Sequence, residues 1–267
     1  LTSVAAIGGQ VGAIFAAIMA AYIIPNFGWN ALFLLGIIPV ILTFFIRRHV
    51  HESQEFIVAH KKTIANHQRI SISRLFATPR LALQTLGLMV MTIVQIAGYF
   101  GLMNWLPSIV QRQQGLSVSG SSIWMIATII GMSIGMMVFG TVMDNWGPRW
   151  AFGIFLLGSA TVMFTILMVQ SSIALILAGA LIGFFSNGMF GGYGAVISQL
   201  YPTAIRSTAN SIIMNVGRAI GGFSSVVIGL LMDHYSLGVT MGFLSALYIL
   251  SFIVMSSLPG MRKLANH

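Results

Sequence analysis

The sequence predicts an all-α polytopic membrane protein with eight membrane-spanning helices. Three observations predict it. Apolar residues make up 57% of the chain and charged residues only 6%, against roughly 25% charged in soluble domains. The apolar residues fall into eight runs, each long enough to cross a bilayer. Eleven of the thirteen basic residues lie in segments that would share one side of the membrane, as the positive-inside bias requires. The formal charge of +9 sits in these connecting segments and not on a folded soluble face, so nucleic acid is not an expected partner. The chain has no cysteine, which removes disulfide, thiolate-metal and thiol redox chemistry.

The runs fall at about 3–25, 29–47, 82–107, 120–143, 149–169, 172–198, 205–232 and 238–258. Pro25, Asn26, Phe27 and Gly28 form the turn between the first two, with Trp29 at the interface. The segment 48–80 is the only long hydrophilic stretch and the natural boundary between two membrane units, 1–47 and 81–260, with 261–267 as a tail. Arg47, Arg48, Lys61, Lys62, Arg69, Arg74 and Arg80 mark that loop, and Arg149, Arg206, Arg262 and Lys263 fall on the same side. Only Arg112 falls opposite. The central loop and the C-terminus are therefore expected in the cytoplasm, and an even number of spans puts Leu1 there too. The chain starts without an initiator Met or a charged leader, so it reads as beginning partway through a larger protein. Small residues four apart, at Gly8/Gly12, Gly131/Gly135, Gly179/Gly183, Gly217/Gly221 and Gly238/Gly242, predict a closely packed bundle.

One charge falls inside a span. Arg218 lies twelve residues beyond Arg206, roughly 18 Å along a helix and about half the hydrocarbon thickness. Ser207, Ser211, Asn215, Arg218, Gly222 and Ser225 follow at intervals of three or four and share one face. A guanidinium at that depth faces a bundle interior or a wet cavity. There it either clamps an anion through its planar fork of donors or bonds backbone carbonyls of a neighbouring helix. Asn215, one turn away, is a candidate second contact. Gln95 and Tyr99, one turn apart, are polar groups in an otherwise apolar run, as are Asn187 and Gln10. Each is a candidate cavity residue or an interhelical hydrogen bond. Trp124 shares a face with Thr128 and is a candidate for the cavity or for an interface anchor.

The acids are Glu52, Glu55, Asp144 and Asp233, all in loops or at span ends. No carboxylate or histidine lies at mid-membrane, which argues against a membrane-embedded enzyme. His49, His51, His60 and His67 lie in the central loop without a tight ligand spacing, so neither a metal nor any cofactor is expected.

Three stretches resemble the major facilitator superfamily of secondary transporters. Residues 140–150, GTVMDNWGPRW, are similar to its turn signature G-x-x-x-D-x-x-G-R/K-R/K. Residues 199–209, QLYPTAIRSTA, resemble the start of its eleventh helix. Residues 28–36, GWNALFLLG, with RRHVHES at 47–53, look like its sixth helix and the loop after it. NVGRAIG at 215–221 and NWLPSIV at 104–110 are similar to proton-coupled symporters of aromatic acids, sialic acid and lactate. Departures are Gln199 for the usual Glu, Pro148 for the first basic residue, and His51 and Gln54 for prolines.

The resemblance implies the fifth to twelfth helices of a twelve-helix carrier. It implies two six-helix bundles, a mid-membrane substrate site and rocking alternating access. The segment 1–47 would hold the last two helices of the N-terminal bundle and 81–260 the C-terminal bundle. The implied function is transport of a small carboxylate across the cell membrane by a monomeric carrier, with protons as coupling ion. A neutral sugar or metabolite carrier, or an inactive truncated remnant, are the alternatives. A symport proton site would have to lie in the helices before residue 1, since this chain holds no intramembrane carboxylate. Asp144, Gly147, Arg149 and Arg206 would form the cytoplasmic layer that locks one state, Gly147 by permitting the tight turn.

Overall fold

The computed structural model describes residues 2–37, 72–114, 118–169 and 171–262. Among the described residues there are helices and no strands. In chain order the α-helices are α1 (Thr2–Leu35), α2 (Pro79–Gln114), α3 (Val118–Trp146), α4 (Pro148–Val162), α5 (Thr165–Met168), α6 (Ser172–Gly188), α7 (Phe190–Leu200), α8 (Thr203–Gly221), α9 (Ser224–His234) and α10 (Leu237–Ser257). Short 3-10 turns at Ile72–Phe76 and Pro259–Arg262 flank the set.

Seven segments among the described residues are long and apolar enough to cross a membrane: Ile14–Ala31, Pro79–Trp105, Ile123–Trp146, Pro148–Met168, Ser172–Leu200, Ile205–His234 and Leu237–Ser257. Six of them match the third to eighth apolar runs, while Ile14–Ala31 begins within the first run and crosses the turn expected at 25–28 into the start of the second. The second run is described only as far as Ile37. Most of the central loop, including its four histidines and the acids Glu52 and Glu55, lies outside the described residues.

Three runs are each made of two helical pieces. Pro148–Met168 is α4 and α5, Ser172–Leu200 is α6 and α7, and Ile205–His234 is α8 and α9. The joints are single tightened turns. Gly192 N bonds back to Met189 O at 3.0 Å, and Phe223 N to Ile220 O at 3.2 Å, each three residues back instead of four. Gly-rich sequence accompanies both joints, at Gly188 and Gly191 in one and at Gly221 and Gly222 in the other.

Two turns need glycine. Gly28 has φ 77°, ψ 168° and separates two helical pieces of α1, while Gly147 has φ 83°, ψ 164° and precedes α4. This backbone region belongs almost entirely to glycine. Pro148 follows Gly147 at the first helical position, where its missing N–H costs nothing.

The six runs after the central loop form one bundle. Helix α3 packs along α6, α8 along α2, and α10 against α4 and α2. Helix α1 lies along α3 on the bundle's flank and is largely uncovered, with Phe15, Tyr22 and Phe33 exposed. The α3–α6 seam is the closest. A Cβ on Gly131 would strike the Ala180 carbonyl, one on Gly135 the Phe184 carbonyl, and one on Gly183 the Thr128 carbonyl. On the α8–α2 seam, a Cβ on Gly217 would come within 2.9 Å of Thr92 and one on Gly221 within 2.7 Å of Ile93 O. The pair Gly238/Gly242 differs: no atom lies within 4 Å of a Cβ on Gly242. Behind the seams is an aromatic core. Phe139 meets Phe152 at 4.9 Å and Phe155 at 5.1 Å, and Phe152 meets Tyr193 at 4.9 Å, all edge to face.

Candidate functional site

Helix α8 is amphipathic in the sense the sequence predicts. Ala209, Ile213, Gly217 and Gly221 are buried, facing the bundle. Ser207, Ser211, Asn215 and Arg218 are exposed, and Gly222 and Ser225 half-exposed. The polar stripe therefore looks out of the six-run bundle. Hydrogen bonds from α2 fix the helix and its joint in place. Thr92 Oγ1 donates to Ile213 O at 3.2 Å and Trp105 Nε1 to Ser225 O at 2.7 Å, while Ser224 Oγ donates back to Ala97 O at 2.9 Å.

Arg218 opens onto a cavity of about 230 Å³, lined by Ile96, Tyr99, Phe100, Asn187, Phe190 and Arg218. Three candidates from three separate runs, Tyr99, Asn187 and Arg218, thus meet at one opening. Arg218 makes no hydrogen bond or ion pair among the described residues. It is not tucked against backbone carbonyls, so its fork of donors remains available. The cavity also sits beside two helix joints. Asn187 is two residues before Met189, and Arg218 four before Gly222.

Gln95 stands behind the cavity wall. It is buried, and its Nε2 donates to Ser186 O at 2.7 Å and to Asn187 Oδ1 at 3.3 Å. A carbonyl only accepts, so Ser186 O requires the nitrogen of Gln95 to face it. That in turn requires Oδ1 of Asn187 to face Gln95. Asn187 Nδ2 touches Met132 Sδ at 3.4 Å, a weak acceptor, and keeps a second N–H. The oxygen of the Asn187 amide is therefore occupied by Gln95. Gln95 Oε1 is buried without a partner.

The other candidates lie elsewhere. Asn215 is exposed on the stripe but does not line the cavity. Trp124 is fully buried between α3 and α6, donating from Nε1 to Leu175 O at 3.0 Å. It is neither a cavity wall nor an interface anchor. Gln10 lies in α1, and its side chain falls outside the described residues. Asp144 is exposed at the end of α3, and Arg149 is half-exposed just past Gly147. Neither makes an ion pair among the described residues. Arg206, in the first turn of α8, has a buried Nε without a partner. Among the described residues no cluster of acids and histidines is arranged to hold a metal. Phe100 and Phe190 were not singled out by sequence: an apolar ring in an apolar span carries no signal of its own.

Seven membrane-length segments among the described residues, packed as a helical bundle, define a polytopic membrane protein. The family model described as the Major Facilitator Superfamily matches residues 1–135 and 88–263. The chain belongs to this superfamily, whose members are multi-pass cell-membrane transporters and not enzymes. It is 35% identical over 257 residues to a putative metabolite transport protein of Haemophilus influenzae, covering 94% of this chain and 63% of that one. It is 30% identical over 264 residues to a probable 4-methylmuconolactone transporter of Cupriavidus pinatubonensis, covering 97% and 60%. It is 26% identical over 251 residues to a cis,cis-muconate transport protein of Acinetobacter baylyi, covering 92% and 60%. The chain thus spans about three fifths of the length of these curated relatives.

Proposed function

We propose that the chain is part of a secondary transporter that moves a small, planar, unsaturated carboxylic acid across the cell membrane by alternating access, in symport with protons. The observation that carries this reading is Arg218, a guanidinium midway along its span, without a partner among the described residues, at the mouth of a cavity. The fork matches a carboxylate, and low dielectric strengthens the attraction. Asn187 adds a donor beside it. Tyr99, Phe100 and Phe190 offer ring faces and edges for a flat substrate. The names of two relatives, for cis,cis-muconate and 4-methylmuconolactone, agree with an unsaturated acid or its lactone. A neutral-substrate carrier leaves the free guanidinium without a role.

In the alternating-access reading, a second bundle faces the exposed stripe of α8 and closes the cavity from the other side. Asp144, Gly147, Arg149 and Arg206 belong to the cytoplasmic layer that changes partners between states, with the central loop and C-terminus on that same side. Asp144 and Asp233 lie at span ends. The proton-binding group of the symport is therefore assigned to a part of the whole protein beyond the described residues.

The test is an uptake screen with the full-length protein in proteoliposomes, at two pH values. It compares cis,cis-muconate and benzoate with benzamide, the neutral counterpart of benzoate. Acid uptake that rises with an inward proton gradient, with benzamide excluded, supports the reading. Uptake of benzamide in preference to both acids contradicts it.

A further inference from the structure

A second cavity, of about 280 Å³, opens on the outer flank of the bundle, between the first half of α4 and the last turns of α10. Along α4 it follows Arg149, Gly153 and Leu157, spaced four apart, so it runs roughly 12 Å inward from the end of the span. Gly153 is its floor: the nearest atoms to a Cβ there are Phe252 Cε2 at 3.6 Å and Met255 Cε at 3.7 Å. Trp150, Ile154 and Leu157 beside it are 65%, 38% and 45% exposed. Helix α1 packs on α3 and α7, away from this flank. Among the described residues α1 thus leaves the groove uncovered. Its deep part is apolar, while its mouth carries one cation, Arg149, without an ion-pair partner among the described residues, together with the hydroxyl of Ser256.

We propose that this groove holds one anionic phospholipid of the leaflet at which α4 begins, with its phosphate on Arg149 and one acyl chain over Gly153 and Leu157. The charge pattern is complementary end to end. A guanidinium at the hydrocarbon edge favours an anionic headgroup over a zwitterionic one. Trp150 stands at the depth where an indole prefers the headgroup boundary. The glycine removes the side chain that would otherwise fill the channel.

The test is native mass spectrometry of the full-length protein in detergent, titrated with dioleoyl-phosphatidylglycerol or dioleoyl-phosphatidylcholine, with the melting temperature of each variant measured alongside. The first bound phosphatidylglycerol is expected to be held about fivefold tighter than phosphatidylcholine. Arg149→Lys keeps most of that preference, and Arg149→Gln abolishes it. Gly153→Leu weakens both lipids, and Gly153→Val does the same if the leucine variant does not fold. Equal binding of the two lipids by the wild type overturns the proposal. A preference that survives Arg149→Gln, or an affinity untouched by filling Gly153, also overturns it. So does displacement of phosphatidylglycerol by inorganic phosphate, which would assign Arg149 to a free anion.

Discussion

The side-chain amide of Gln95 on α2 donates to Oδ1 of Asn187 on α6 at 3.3 Å. The pair ties together two helices that line the cavity and fixes the orientation of the asparagine amide. Gln95→Leu would leave Ser186 O and Asn187 Oδ1 without their donor. Interhelical hydrogen bonds in membranes contribute about 0.6–2 kcal/mol. Uptake kinetics of this variant are expected to show KM raised about fivefold, with Arg218 untouched. An unchanged KM would remove Gln95 from the positioning of Asn187.

Glycines that look alike in sequence are expected to respond differently. Gly131→Ala and Gly183→Ala put a methyl into backbone carbonyls of the facing helix, which cannot move aside as a side chain can. Each should cost about 1–3 kcal/mol and lower the melting temperature. Gly140→Ala and Gly242→Ala meet open space and should leave it unchanged. Thermal unfolding in detergent checks all four.

Gly147 tests the turn between α3 and α4. At φ 83°, ψ 164° any other residue is strained by about 1–3 kcal/mol. Gly147→Ala is expected to lower the melting temperature, and to shift the balance of conformations if the turn also locks one state. Double electron–electron resonance between labels on α3 and α8 reads that shift.

Trp124 serves packing. Trp124→Phe keeps most of the buried ring but loses the bond to Leu175 O, at about 1–3 kcal/mol. The melting temperature should fall while KM stays within about twofold, since the residue lies outside the cavity. A large rise in KM with unchanged stability would return Trp124 to the site.

Much of this architecture was legible in the chain because membrane spans are written in composition. The runs at 82–107 and 238–258 need no tertiary information to be found, and the mid-membrane Arg218 identifies itself by its cost. That the polar residues of α8 share one face followed from spacing alone, but that this face looks out of the six-run bundle did not. What was not legible depended on neighbours. Gln95, Tyr99, Asn187 and Trp124 are all polar groups in apolar runs, and nothing local separates the two that line the cavity from the one behind it and the one in a seam. Phe100 and Phe190 are hidden among eighteen phenylalanines, each equally suited to core, lipid or ligand. The joints at Met189 and Gly222 lie within single membrane-length runs, where hydropathy reads one span and the hydrogen-bond pattern shows two pieces. The motif-like residues Asp144 and Arg149 stand near each other in sequence without forming an ion pair among the described residues. Pro148 and Arg149 start a new helix, and that turn directs Arg149 to the outer groove.

The central claim is that Arg218 binds the carboxylate of the transported acid. The direct measurement is calorimetric binding of the acid taken up best by the full-length wild type, repeated on Arg218→Lys and Arg218→Gln. Removing a charge-assisted, bidentate pair of hydrogen bonds from a low-dielectric site should weaken binding on the order of 100-fold in the glutamine variant. The lysine variant should recover only part of it, because a point charge does not reproduce the fork. Affinity for the acid that stays within about twofold in a folded Arg218→Gln variant, a change of less than about half a kcal/mol, would contradict the assignment.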